Sequence, residues 1–289
     1  MKPQLSDLPI AYPRNLREAL RLQADEATRG RLLAGGTDLV AQWAAGVPLP
    51  PRATSLRLVK GLDEISVLAD GTLRIGATAT HALLRDCDLV RRQLPALNQA
   101  SASVGATQIQ AVGTLGGNVC NASPAGDTAP ALLITGGSVI AASLHGTREI
   151  PLDAFWIAYR KIALAPDEIL VGFLLPPKPA HTAEGFRKVG TRNAQSISKI
   201  MAAWRMTLDP RKGTIAAAAI ALGSVGPTAQ RLPDVERRLI GRKPTPRLAN
   251  EAADWARAAV KPIADIRSTA EYRLHLAGVF VHDIIADLA

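Results

Sequence analysis

The chain has 289 residues, room for two domains of about 100–200 residues each. Hydrophobic residues make up 47% and charged residues 20%, which excludes a disordered chain, since disorder needs low hydrophobicity and high net charge. No stretch approaches the roughly 20 apolar residues of a membrane span. The opening MKPQLSDLPIAYPRN has no apolar core, so no secretory leader is expected. The two cysteines, Cys87 and Cys120, are too few for a disulfide framework or a self-contained iron–sulfur site, and a reducing, cytoplasmic setting is expected. The net charge of +9 raises the question of a nucleic-acid partner. Residues 178–230 carry eight basic side chains (Lys178, Arg187, Lys188, Arg192, Lys199, Arg205, Arg211, Lys212) against Glu184 and Asp209, a surplus of +6. They are dispersed, however, and aromatics are only 4% of the chain, which is poor for base stacking. No nucleic acid is therefore expected. The surplus suits a basic enzyme surface, an anionic cofactor or an acidic partner, with Arg205, Arg211 and Lys212 as candidates to face that partner.

In chain order, Asn15 precedes Leu16, Ala19, Leu20 and Ala24 on one helical face, and Glu18 stands where a capping box places an acid, predicting a helix over 16–27. Residues 31–34 read as a short buried strand ending at Gly35 and Gly36, and 38–45 as one or two helical turns. Pro48, Pro50 and Pro51 force an extended crossing. Asp70 and Gly71 separate two apolar runs, 65–68 and 72–75, as in a hairpin. Thr80 caps a helix through Leu83 and Leu84; a further helix is expected over 89–103, then helix over 127–135 and strands over 139–142 and 168–175. Pro176, Pro177 and Pro179 break regular structure and place a domain boundary between 1–176 and 177–289. Beyond it, 186–189, 200–208 and 214–222 read as a three-stranded antiparallel sheet, with helices near 233–240, 246–260 and 269–287. The last helix opens with a box from Ser268 to Glu271 and carries Leu276, Phe280 and Ile284 on one face.

The usual catalytic and nucleotide signatures, G-x-G-x-x-G, the Walker A lysine loop and G-x-S-x-G, are absent. The five histidines, His81, His145, His181, His275 and His282, share no ligand spacing and read as surface or internally satisfied residues rather than metal ligands. Two segments stand out. One runs Leu32, Leu33, Ala34, Gly35, Gly36, Thr37, Asp38, Leu39; the other runs Gly113, Thr114, Leu115, Gly116, Gly117, Asn118 and on through Ser123 to Asp127 and Pro130. Each reads as a strand-to-turn transition. Paired glycines let main-chain N–H groups converge without Cβ interference into an anion-binding nest, and two nests suit the two phosphates of a pyrophosphate. Thr37, Asn118 and Ser123 add neutral polar contacts. Asp127, the one formal charge in residues 101–144, suits an acceptor for ribose hydroxyls. The same segments also read as purely structural turns.

The sequence resembles the flavin subunits of the molybdenum hydroxylases, the xanthine dehydrogenase and carbon monoxide dehydrogenase family. The resemblance rests on AGGTDL at 34–39, TLGGN at 114–118 and SP-x-x-D-x-x-PAL (Ser123, Pro124, Asp127, Pro130, Ala131, Leu132). It continues through Ile75, Gly76 and Ala77 with Thr80, and through Tyr159, Arg160 and Lys161 ahead of 166–170. FRKVGTR at 186–192 and RSTAEYR at 267–273 complete it.

This resemblance implies an α+β protein: a vanillyl-alcohol-oxidase-type (PCMH-type) FAD-binding domain followed by a smaller domain of antiparallel sheet with helices. Carried over position by position, FAD contacts fall on residues 32–39, Val104, Thr114 to Asn118, Asp127 and Leu170, with Lys188 close to the flavin and Ile197 beside its ring. It also implies non-covalent FAD, with molybdenum cofactor and [2Fe–2S] clusters on a large and a small partner subunit, in a dimer of heterotrimers. The chain would then be an electron-transfer subunit passing electrons from those clusters through FAD to NAD, a quinone or another acceptor. A stand-alone flavin oxidoreductase is the alternative, and it would need a substrate base of its own. Gln110 and Ala111 replace the family's Arg-Asn before the second loop, Ser196 replaces a frequent Asp, and the cysteine-bearing insertion of one branch is absent, so no further iron–sulfur cluster is expected here.

Overall fold

The computed structural model describes residues 5–289; the first four, on which the reading of the leader region partly rests, lie outside the described residues. Three short strands come first, β1 (Ile10–Ala11), β2 (Arg31–Leu33) and β3 (Ala53–Ser55), with α1 (Leu16–Ala24) and α2 (Leu39–Ala44) between them. They form a parallel sheet in the order β1-β3-β2. Asn15 caps α1 by accepting from the Glu18 N–H at 2.9 Å, and the Glu18 carboxylate answers by accepting from the Arg14 N–H at 2.7 Å. The helix stops at Ala24, short of the expected 27, because the Asp25 carboxylate turns the chain by accepting from the Ala27 N–H.

Next come β4 (Ile65–Val67), β5 (Leu73–Gly76), α3 (His81–Asp86), α4 (Asp88–Gln93), α5 (Pro95–Ser103), α6 (Thr107–Val112), α7 (Leu115–Asn121) and α8 (Thr128–Leu133). Then follow β6 (Ser138–Ser143), β7 (Gly146–Pro151), α9 (Leu152–Phe155), the small hairpin β8 (Trp156–Ala158) and β9 (Lys161–Ile162), and β10 (Ile169–Leu175). The main sheet, β4-β5-β10-β6-β7, is antiparallel throughout. Its apolar face buries Leu73, Ile75, Phe173 and Leu175 against Leu97, Leu115, Leu132 and Phe155 from the helices. The helix expected over 89–103 is two helices: Pro95 lacks the N–H to continue α4 and instead opens α5. The second glycine segment, expected as a strand running into a turn, is the start of α7.

After an irregular stretch at 176–179, β11 (Thr182–Val189), β12 (Ile200–Leu208) and β13 (Ile215–Gly223) form the expected antiparallel sheet. A fourth short strand, β14 (Gln230–Arg231), extends it beyond the expected three. Helices α10 (Pro233–Leu239), α11 (Pro246–Ala259) and α12 (Ala270–Ala286) cover one face. Leu276, Phe280 and Ile284 pack from α12 into a core with Ile200, Ile220, Leu222 and Leu248. The cap of α12 is Thr269, whose hydroxyl accepts from the Tyr272 N–H at 3.2 Å, one residue later than the box read from Ser268.

The two halves meet where β11 packs on α5. Glu184 is the hinge of that contact: one carboxylate oxygen accepts from the Ala96 N–H in the first turn of α5 at 3.1 Å, and the other accepts from Arg205 Nε at 2.6 Å. Arg205 is therefore not a partner-facing surface residue. It is 8% exposed and neutralises an otherwise uncompensated buried acid. Arg211 and Lys212 do sit at an exposed hairpin tip, where both N–H groups bond the Asp209 carboxylate. Removing one partner of a buried ion pair strands the other charge, at a cost of about 3–5 kcal/mol. Arg205→Ala is therefore expected to lower unfolding free energy by about that amount in urea titration, while Arg211→Ala stays within about 0.5 kcal/mol of the parent.

Candidate functional site

Where β2 ends, the chain turns through residues 34–38 into α2. A Cβ on Gly35 would stand 1.9 Å from the Val112 carbonyl oxygen at the end of α6, so only glycine allows the two backbones to meet. Gly36 follows with φ +72°, a left-handed conformation that side chains disfavour. Among the described residues, no main-chain N–H of residues 35–39 donates to a protein acceptor. These donors line a cleft of about 1140 Å³ that runs between the parallel sheet, the starts of α3 and α7, and the second half of the chain.

The second glycine segment is built differently. Thr114 caps α7, accepting from the Gly117 N–H at 3.0 Å. The Leu115 N–H donates to Ala79 O at 2.9 Å, Gly116 to Ala77 O at 2.8 Å and Asn118 to Thr114 O at 3.0 Å. No free nest of donors remains there, which corrects the sequence reading. The segment offers a side-chain-free face at Gly116 and Gly117, the positive end of a short helix, and the Asn118 amide, whose Oδ1 accepts from Thr128 Oγ1 at 2.6 Å. The Ser123 hydroxyl accepts from the Ala125 N–H, leaving its own hydrogen to give.

Of the residues singled out in the sequence, Leu32, Ala34, Gly35, Gly36, Thr37, Asp38, Leu39, Val104, Thr114, Gly116, Gly117, Asn118, Ser123, Asp127, Leu170 and Ile197 line this one cleft. Three do not. Leu33 packs beneath Gly36, Leu115 is wholly buried in the core, and Lys188 lies behind Asp127, lining a separate cavity of about 670 Å³. Ile197 stands at the rim, 55% exposed. Gln110, where the family has Arg, is buried; it donates to Ala102 O and Val104 O at 2.9 and 3.0 Å and so holds Val104 in place.

Asp127 is 7% exposed and commits both carboxylate oxygens to protein donors. Lys188 Nζ reaches one at 2.5 Å and Ser198 Oγ the other at 2.5 Å, while Lys188 also donates to Ser103 O at 3.1 Å. Burial pushes the Asp127 carboxyl up, and Lys188 opposes the shift. The group expected to face a ribose thus fastens β11 and the 198 segment to the cleft wall. Asp38 is raised by burial too, with the Arg160 guanidinium opposing, and it accepts from Asn121 Nδ2 at 3.1 Å.

Several residues that the sequence reading did not assign to the site line the cleft. His81, grouped with surface or satisfied histidines, is 2% exposed, lines the cleft, and has no partner for Nδ1. Burial pushes its pKa down to about 4. The one local signal was its place just after the Thr80 cap; what puts it here is the bridge between Thr80 and Thr114 that joins the starts of α3 and α7. Gln23, Arg29 and Pro166 line one end of the cleft, and Arg192, Ser196 and Arg267 line it from the second half of the chain. Cys120 also lines it, as a thiol pushed up to about 12 by burial, so it is an uncharged wall rather than a nucleophile. Among the described residues no helix is long and apolar enough to cross a membrane.

Known proteins similar to this chain fall in one family. Residues 6–178 match the family model described as the FAD binding domain in molybdopterin dehydrogenase. Residues 185–288 match the CO dehydrogenase flavoprotein C-terminal domain. The chain is 31% identical over 273 residues to the xanthine dehydrogenase FAD-binding subunit of Escherichia coli O157:H7, covering 94% of this chain and 92% of that one. It is 30% identical over 287 residues to the alpha subunit of the 6-hydroxypseudooxynicotine dehydrogenase complex of Paenarthrobacter nicotinovorans, covering 99% and 95%. Among solved structures, a chain of carbon monoxide dehydrogenase from Hydrogenophaga pseudoflava superposes with a TM-score of 0.91 at 25% identity, covering 98% of this chain and 96% of that one. A chain of quinoline 2-oxidoreductase from Pseudomonas putida 86 gives 0.90 at 27%, covering 100% and 98%. The α+β architecture, the glycine-lined cleft and both domain matches make this chain a member of the FAD-binding subunits of the molybdenum hydroxylases, the oxidoreductase family of xanthine dehydrogenase and carbon monoxide dehydrogenase.

Proposed function

We propose that the cleft holds one FAD without a covalent bond and that the chain serves as the electron-transfer subunit of a cytoplasmic complex. The observation that carries this reading is the row of unpaired N–H donors at residues 35–39 facing the bare backbone of Gly116 and Gly117 across the cleft. Unpaired main-chain donors beside a cavity want an anion, and a pyrophosphate carries acceptors for all of them. Bound there, FAD supplies the redox chemistry, taking electrons from [2Fe–2S] clusters on a small subunit served by a molybdenum subunit, and passing them to NAD, a quinone or another acceptor. A dimer of such heterotrimers is the assembly we propose, with domains 1–176 and 177–289 on either side of the irregular 176–179 stretch.

The protein's own part is binding, orientation and exclusion of water. Thr37, Asn118 and Ser123 offer polar contacts to the phosphates; Leu32 and Leu170 give an apolar wall; Ile197 closes the rim. Lys188 brings a positive charge behind that wall, held there by Asp127 and Ser103. His81 stays neutral at physiological pH and so adds no cation at the cleft. No side chain is required as a general base.

Acid or heat denaturation is expected to release free FAD from the yellow protein; colour retained on the denatured chain would overturn the non-covalent reading. Co-purification of two further subunits with iron and molybdenum is expected, whereas full substrate turnover by the yellow chain alone would favour the stand-alone enzyme. Gly36→Val and Gly117→Val are each expected to abolish FAD binding. The first forces a branched residue into φ +72°, and the second fills the bare face and crowds Thr114 Oγ1, 2.9 Å from the added Cβ. Cys120→Ser is expected to keep its FAD, since the volume hardly changes. Equal FAD content in the parent and both valine variants would remove the pyrophosphate assignment.

His81 gives a pH signature in the FAD-free chain. Unfolded, the imidazole protonates near 6.5; folded, it stays neutral down to about 4. The folded state's advantage is therefore complete above pH 6.5 and is lost as pH falls towards about 4, on the order of 3 kcal/mol in total. Urea unfolding at pH 7 and pH 4 should show that loss in the parent but not in His81→Leu.

A further inference from the structure

Strand β12 starts at Ile200, next to the cleft residues Ser196 and Ile197, and its nine residues carry the chain roughly 25 Å away. There it turns through residues 209–213 into β13. A second turn, between α10 and α11, lies against the first: the Gly241 N–H donates to Ile215 O at 2.8 Å, and the Ile215 N–H to Arg242 O at 2.9 Å. The fold thus sets two basic turns, far apart in sequence, side by side. Arg211, Lys212 and Lys243 are exposed there and hold no ion pair among the described residues. Arg238 and Arg242 lie over the Trp255 ring, 5.2 and 5.7 Å from its centroid. Arg242 and Arg247 share the Glu251 carboxylate, and Arg237 pairs with Asp234. Against these seven cations stand Asp209, Asp234 and Glu251, so the tip carries a surplus of +4. Glu236 and Asp254, the remaining acids of α10 and α11, are matched by Arg231 and Arg257. Ile240, beside Gly241 in the second turn, is 51% exposed. Like charges gathered at one tip repel one another, a cost that an external anionic surface relieves.

We propose that this tip docks on an anionic lipid surface. Arg211, Lys212 and Lys243 meet the headgroup phosphates, and Ile240 enters the boundary of the acyl region. Clustered Lys and Arg around an exposed aliphatic side chain hold a protein on a bilayer without crossing it. Both segments are protruding turns, which suit a flat, uniformly charged surface. Nucleic acid is a poorer occupant: the tip's one aromatic ring, Trp255, is half-buried and already engaged by two guanidinium groups, which leaves no ring for base stacking. The tip stands at the opposite end of β12 from the cleft, so a docked bilayer leaves the cleft mouth free.

The test is co-sedimentation of the full-length chain with vesicles of phosphatidylcholine alone and of phosphatidylcholine and phosphatidylglycerol in equal parts. Each cation near an anionic surface adds about fivefold to partitioning. The parent is therefore expected to bind the anionic vesicles several hundredfold more strongly than the neutral ones. That preference should vanish near 1 M salt, where the screening length is about 3 Å. The triple variant Arg211→Ala, Lys212→Ala, Lys243→Ala is expected to bind them about a hundredfold more weakly than the parent, with an unchanged circular dichroism spectrum. Removing three exposed cations from the first half of the chain instead, by Arg17→Ala, Arg52→Ala and Lys60→Ala, is expected to change binding by no more than about twofold. Equal sedimentation of the parent with both kinds of vesicle would overturn the proposal. So would an equal loss in the two triple variants, which would make net charge alone responsible, or binding of the parent to a duplex DNA oligonucleotide but not to the anionic vesicles. None of these measurements uses the flavin, so loss of the FAD assignment and loss of the lipid surface are separate outcomes.

Discussion

At Gly35 the main chain leaving β2 approaches the last carbonyl of α6 so closely that a Cβ would sit 1.9 Å from its oxygen. That single approach fixes where the first glycine turn stands relative to α7, and with it the width of the cleft. α7 is held to the same frame from the other side, by Gly116 and Leu115 N–H groups donating to Ala77 O and Ala79 O. The two segments are about 80 residues apart in sequence, and neither could hold its shape alone: one is a turn with unpaired donors, the other a two-turn helix. The turn meets the end of α6 at backbone distance and α7 meets the 77–79 segment in the same way, which is the physical reason glycine stands at 35 and 116.

The cleft divides its polar groups into two kinds. Those of α7 are spent internally, on the Thr114 cap and on the 77–79 segment. The main-chain N–H groups of residues 35–39, with His81 Nδ1 and Gln23 Oε1, have no protein partner among the described residues. Unpaired donors at the turn call for an anion, and the phosphates of a dinucleotide supply one. The satisfied groups make the wall rigid; the unsatisfied ones define what it is complementary to.

Charge follows the same logic. Of the eight basic side chains in residues 178–230, three are held in internal ion pairs. Lys188 pairs with Asp127, Arg205 with Glu184, and Arg187 with Asp283 and Asp287. Two of these pairs tie the second half to the first, because Asp127 walls the cleft and Glu184 also caps α5. Arg205, which a count of charges assigns to a partner surface, thus helps to tie the second half of the chain to the first through Glu184.

What the sequence alone determined was whatever depends on neighbours along the chain. The Asn15 cap, the Asp70–Gly71 hairpin, the stripe of Leu276, Phe280 and Ile284, and the glycine pairs were all legible, because capping, turn geometry and helical periodicity act over a few residues. Resemblance then supplied the family. The tertiary structure decided the rest. It made the second glycine segment a helix start, since the donors of Leu115 and Gly116 are claimed by a distant strand end. It turned Arg205 inward and gave Asp127 to Lys188, 61 positions away. It also buried His81 and Gln23 in the cleft wall. Each of those outcomes rests on a partner far off in sequence, and a hydrogen bond or ion pair of that kind leaves no periodicity behind; only the folded chain shows which polar atoms find partners and which are left for a ligand.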